Sequence, residues 1–304
     1  MFLHEDKDLF TKIIEAAKKE TGLANEVIEK DYYVTMILNH IEEKSKSLGE
    51  VVFKGGTSLS KCHKIIDRFS EDIDITFTEH IGDSRRKKLK YNVMKATSDE
   101  LLLPIKNWDF IQSDRDLNSY LFDYTSLFDT SNIYLREGVK VETALASYSF
   151  PTEKMMISSY VGDFLAKENP ELVEKYCLAP FEMKVQSLER TFIDKVYASC
   201  DYYLQNKSRR LSRHLYDLHK IFPKITFDEK FIELVREVKA HRATMSICPS
   251  AKPGVNISEL IKKYCTENFY KNDFDIITET LINEEIAYNK VIDTMEKISG
   301  FDFW

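Results

Sequence analysis

The first residues alternate apolar and polar positions at helical spacing. Leu9, Phe10, Ile13, Ile14 and Ala17 recur as i, i+1, i+4, i+5 and predict an amphipathic helix. Val27, Ile28, Tyr32, Met36, Ile37 and Ile41 predict a second, with Asn25 placed to cap it. The period then shortens and mixes. A strand is predicted at 51–54, a helix at 57–66, a strand at 72–78 and a helix at 84–102, whose core would be Leu89, Val93, Met94, Leu101 and Leu102. Strand-like runs follow near Phe110, at 121–124 and at 139–146. Pro151 and Pro170 interrupt the next stretch, which predicts short helices beside the sheet, before one more strand at 181–185. Beyond it the pattern is helical at 188–204, 209–222, 228–244, 258–270 and 275–298, with Pro249, Pro253 and Gly254 in a dividing loop.

This order predicts an α/β (α+β) fold with a small mixed sheet, in three parts. N-terminal helices (1–48) pack on an α/β core (49–186), and a helical C-terminal domain (187–304) follows. Composition adds limits. Nine glycines and seven prolines in 304 residues disfavour a turn-rich all-β fold, and the apolar stretches are too short for a membrane span. With an acidic start and no signal-like apolar region, a cytoplasmic protein is expected. Five cysteines without Cys-x-x-Cys spacing predict reduced thiols, not a zinc site or disulfide framework. A net charge of −7 argues against wholesale coating of nucleic acid. Two basic clusters, Arg85–Arg86–Lys87–Lys88 with Lys90 and Lys207–Arg209–Arg210–Arg213, read as solvated surface or as the footprint of a polynucleotide.

The chemistry concentrates between Val51 and Ile75. An apolar run leads into Gly55 and Gly56, a helical spacer follows, and the segment ends Asp72-Ile73-Asp74. On an extended chain the two aspartates project to one side while Ile73 and Ile75 turn to a core. Paired carboxylates suit a hard divalent cation, and glycine N–H groups near a helix start suit a phosphate. A third acid is expected on a neighbouring strand. Val139-Lys140-Val141-Glu142-Thr143 alternates with period two and offers Glu142, with Lys140 beside it to hold a phosphate or that carboxylate.

Phe53-Lys54-Gly55-Gly56-Thr57-Ser58-Leu59-Ser60-Lys61 followed by Arg68-Phe69-Ser70-Glu71-Asp72-Ile73-Asp74 resembles the AbiEii/AbiGii toxin family, a branch of the polymerase-beta-like nucleotidyltransferases. Glu29-Lys30-Asp31-Tyr32-Tyr33 is similar to another segment of that family, and reads either as an exposed helix face or as support for the site. Two later motifs extend the likeness, Ser187-Leu188-Glu189-Arg190-Thr191-Phe192-Ile193-Asp194-Lys195 and Arg213-His214-Leu215-Tyr216-Asp217-Leu218, with His214 where an aspartate is usual. The resemblance spans about residues 25–222.

The resemblance implies a two-metal nucleotidyl transfer. Asp72, Asp74 and Glu142 would bind Mg²⁺ or Mn²⁺, and Lys54, Gly55, Gly56, Thr57, Ser58, Ser70 and Lys140 would surround the NTP. Lys195 would neutralise the triphosphate, and Asp217 would orient Lys195 or position the acceptor. Ser70 is also a place where modification can silence a family member. The expected acceptor is RNA, with the tRNA 3′ end foremost, and a separately encoded antitoxin would oppose the toxin. A protein or small-molecule acceptor, or a non-catalytic nucleotide-binding module, are the alternatives. No membrane partner is expected.

Overall fold

The computed structural model describes residues 1–113, 115–128, 136–146 and 148–304. They form two compact units. The first holds Met1–Cys62 and Ser70–Val185, and the second holds His63–Phe69 and Gln186–Trp304.

The first unit begins with α1 (Lys7–Thr21), capped by the Asp6 carboxylate, and α2 (Asn25–Ser45). Asn25 lies inside α2, and Ala24 takes the cap position instead. The α1 stripe Phe10, Ile13, Ile14 and Ala17 is buried as its spacing predicts. α2 is buried almost all round, including Glu29, Lys30 and Asp31, so that charged run is no exposed face.

β1 (Val51–Lys54) runs straight into α3 (Gly55–Lys61), which ends five residues sooner than the pattern suggests. β2 (Ile73–Phe77) follows, then α4 (Asp83–Lys88), a π-helical stretch (Leu89–Lys95) and α5 (Ala96–Glu100). The strand expected near Phe110 is a 3-10 turn at Trp108–Phe110, with the Phe110 ring 80% exposed. An aromatic residue there is no sign of a buried strand.

The remaining strands are β3 (Leu117–Phe122), β4 (Val139–Ala144), β5 (Thr152–Ile157) and β6 (Phe181–Gln186). β3 starts four residues before its expected place. β5 lies where short helices were expected, although α6 (Tyr160–Glu168) and α7 (Pro170–Lys175) do follow it. It is the terminal strand of the sheet, and Glu153, Lys154 and Met156 are exposed while only Ile157 is buried. Such an edge leaves no period-two burial signal to read.

The sheet order is β3-β4-β2-β1-β6-β5. β1 is antiparallel to β2 and parallel to β6, while β4 is parallel to β2 and antiparallel to β3. The sheet is therefore mixed, and its parallel neighbours are reached through helical crossovers.

The second unit contains α8 (Leu188–Leu204), α9 (Arg213–Ile221), α10 (Glu229–Thr244), α11 (Ile257–Thr266), α12 (Lys271–Asp273), α13 (Glu279–Leu281) and α14 (Tyr288–Ser299). Phe192, Phe222, Phe227, Phe231, Phe301 and Trp304 join in one aromatic cluster. The single helix expected over 275–298 is interrupted. Ile282 leaves the helix to bridge Arg68, and Asn283 and Leu281 bond the backbone of Asp67 and Phe69. No glycine or proline marks this break, because it arises from a non-local pairing.

Candidate active site

The β-sheet register assembles one row of polar residues in the first unit. Lys54 pairs with Asp74 across β1 and β2, Asp74 with Glu142 across β2 and β4, and Glu142 with Ser119 across β4 and β3. In-register neighbours share a face, so Lys54, Asp74, Glu142 and Ser119 stand side by side. Each is partly exposed, whereas Val141, Ile73 and Ile75 behind them are fully buried. Asp72 lies just ahead of β2 and is largely buried.

The diglycine turn is fitted to this row. Gly55 has φ of +80°, and a Cβ on it would lie 2.1 Å from Asp74 Oδ2. Only glycine lets the backbone adopt that angle and approach the carboxylate so closely. Thr57 ties the turn to the acid segment: its hydroxyl donates to the Asp72 carbonyl and lies 2.9 Å from Ser70 Oγ. Ser58 donates to the Gly55 carbonyl at 2.9 Å. Both hydroxyl protons are thus used to shape the turn.

Each flanking acid faces a cation of the chain itself. Lys140 Nζ is 2.5 Å from Glu142 Oε1, and Arg136 Nη1 is 3.4 Å from Asp72 Oδ1. Among the described residues no three His, Cys, Asp or Glu side chains group as a metal cage. Asp72 and Glu142 turn toward Arg136 and Lys140 instead. The donor set itself, carboxylate oxygens on one face around a turn kept open by Gly55, suits a hard divalent cation.

In the same unit, α2 tethers five places in the chain through consecutive charged residues. Glu29 accepts from Ser126 Oγ at 2.5 Å and from Leu127 N at 2.9 Å. Lys30 donates to the carbonyls of Arg136 and Gly138 and pairs with Glu71 at 3.2 Å. Asp31 accepts from Lys61, at the end of α3, and from Tyr160 N at 2.9 Å. Burial pushes the Glu71 carboxyl up and the Lys30 ammonium down from their ordinary values, although each partly offsets the other. Glu71 and Arg136 carry no site role in the sequence reading. For Glu29-Lys30-Asp31 that reading left an exposed helix face or support for the site, and the burial of these three removes the first. Charges on a buried helix face were the available signal.

The second unit brings Lys195 and Asp217 together. Lys195 Nζ donates to Asp217 Oδ2 at 2.7 Å, and Arg68 donates to both oxygens at 2.6 and 2.8 Å. Asp217 has no exposed surface. Burial would raise its carboxyl, but Arg68 and Lys195 together hold it well below the usual carboxylate range. Arg68 is the partner that sequence spacing missed, because it is distant in the chain and precedes the Ser70–Asp74 run. His214 Nδ1 is buried with no hydrogen-bond partner among the described residues. Burial, with Lys195 and Arg213 nearby, lowers the His214 pKa well below its ordinary value.

The basic clusters are partly consumed by the fold. Arg86 is buried against the Ile81 carbonyl and Asp116, Arg85 binds Glu79 and the Leu48 carbonyl, and Lys90 reaches the Ile111 carbonyl.

A mixed sheet carrying in-register acids beside a diglycine turn defines a nucleotidyltransferase-type core. The family model described as "Nucleotidyl transferase AbiEii toxin, Type IV TA system" matches residues 37–297. The chain belongs to that family, and so to the nucleotidyltransferase toxins of type IV systems, in which a separate antitoxin is the partner. Among solved structures it is similar in fold to MenT4, a nucleotidyltransferase toxin from Mycobacterium tuberculosis. That likeness has 17% identity and a TM-score of 0.56, and covers 94% of this chain and 88% of MenT4. No curated protein matches the sequence. No helix among the described residues is long and apolar enough to cross a membrane.

Proposed function

We propose that this toxin transfers a nucleoside monophosphate from an NTP to RNA, with the tRNA 3′ end as the first acceptor to test. The observation that carries this reading is the alignment of Asp74 with Glu142 beside Gly55. Asp72, Asp74 and Glu142 would hold Mg²⁺ or Mn²⁺. Such a cation polarises the α-phosphate and lowers the pKa of the attacking hydroxyl.

The chain's own residues prepare that chemistry. The glycine turn offers backbone N–H groups to phosphate oxygens, and Lys54, in line with Asp74, adds positive charge at the end of β1. Thr57 fixes the turn to Ser70 and Asp72, so phosphate and carboxylate positions are set together. A phosphate on Ser70 would add roughly −1.5 to −2 charges beside those carboxylates and repel the nucleotide. In the second unit, the bond from Lys195 to Asp217 supports Asp217 as the residue that orients Lys195.

Incubation with Mg²⁺, each α-labelled NTP and total RNA tests the proposal. The wild-type protein labels RNA, and Asp74→Ala lowers labelling by about 10²–10³, the range for removing one charge-stabilising group. Equal labelling by both proteins refutes the role of the carboxylate row. Label that survives RNase and is lost to protease moves the acceptor to protein.

A further inference from the structure

Arg136 combines a rigid backbone with a loosely held head group. Its N–H donates to Glu71 Oε2 at 3.0 Å and its carbonyl accepts from Lys30, a side chain only 2% exposed. Two residues on, Gly138 has φ of +64°, and a Cβ there would lie 2.3 Å from the Phe122 carbonyl oxygen. The chain is therefore pinned on both sides of Arg136 before it enters β4. By contrast, the guanidinium is 34% exposed and meets the Asp72 oxygens at 3.4 and 3.5 Å. Those distances lie at the edge of hydrogen bonding and contribute little to holding a fold.

A buried Lys–Glu pair is a costly way to fix one loop residue. It makes sense when the head group must be presented at a set place and remain free to change partner. A guanidinium matches phosphate bidentately, and it already lies beside the acid that would receive a divalent cation. Cation and guanidinium compete for Asp72. With a cation on the Asp72 carboxylate, the guanidinium would be free to meet a phosphate oxygen.

We propose that Arg136 is a further nucleotide-binding residue, whose guanidinium exchanges Asp72 for a phosphate of the NTP. Lys30 and Glu71 act as positioning residues beneath it. The inference rests on the carboxylate reading above, and deepens it by assigning the group that takes the triphosphate.

Two equilibria measured on the full chain test it. One is binding of fluorescent NTPs with Mg²⁺ by anisotropy, and the other is Mn²⁺ binding without nucleotide by electron paramagnetic resonance. Arg136→Ala weakens NTP binding about 10- to 100-fold, as expected for one charge-assisted contact, yet tightens Mn²⁺ binding by removing a competitor. Arg136→Lys falls between on the first measure. Unchanged NTP binding in Arg136→Ala overturns the proposal. A parallel loss of NTP and Mn²⁺ binding also overturns it, since Arg136 would then merely position Asp72. Asp72→Ala separates the two readings: if it retains wild-type Mn²⁺ binding while Arg136→Ala still loses nucleotide, the carboxylate reading and the exchange at Asp72 fail, and Arg136 stands as a nucleotide-binding residue alone.

Discussion

The two units use ion pairs in opposite ways. In the second, Asp217 is wholly buried and receives three charged hydrogen bonds between 2.6 and 2.8 Å from Arg68 and Lys195. In the first, Arg136 meets Asp72 at 3.4 Å with a third of its side chain in solvent, and Lys140 and Glu142 are 26% and 30% exposed. The tight cluster cannot release a partner without stranding a buried charge. The loose pairs can, since water replaces what is lost. One arrangement locks its partners in place, and the other leaves them able to exchange.

The strongest test of that contrast is Asp217→Ala. It leaves Arg68 and Lys195 buried and unpaired, at a cost of about 3–5 kcal/mol. The two tryptophans make this measurable, since Trp108 lies in the first unit and Trp304 in the second. Urea unfolding followed by Trp304 in a Trp108→Phe background should shift strongly, and no shift would mean the cluster carries no stability. The pH dependence has a fixed sign. The Asp217 carboxyl is depressed in the folded protein, so its contribution is present above the unfolded value near 4 and is lost as pH falls below it. The stability gap between wild type and Asp217→Asn should therefore be flat from about pH 5 to 8 and shrink in stronger acid.

Gly55→Ala comes next. A residue with a Cβ at φ of +80° carries strain of about 1–3 kcal/mol, and this Cβ would also strike Asp74. Nucleotidyl transfer should fall further than the melting temperature implies, because the carboxylate itself is displaced. Full activity in Gly55→Ala would show that the close approach of turn and acid is incidental.

What sequence could reveal follows the same division. Asp74, Glu142 and Gly55 were legible, because period-two alternation and a glycine pair are local signals. The order of elements was legible too, where each buries one clean face. Arg68 was not, since its pairing with Asp217 joins residues 149 positions apart. Glu71 was missed for a related reason: a charged residue reads as exposed until packing shows what it serves, and for Lys30 the sequence left the exposed and the supporting reading both open. The break at Ile282 and the edge strand β5 are decided by pairing with distant segments, and neither leaves a mark in its own composition.

The smallest effect sharpens the contrast most. Lys140→Met removes the cation that faces Glu142, but both side chains keep contact with solvent. Stability measured through Trp108 should change by no more than about 0.5 kcal/mol. Mn²⁺ binding should tighten, as a competing charge is gone from beside the carboxylate. A stability loss above about 2 kcal/mol would place Lys140 and Glu142 with the buried cluster of the second unit. The acids of the sheet would then be structural, and exchange of partners could not be what their looseness provides.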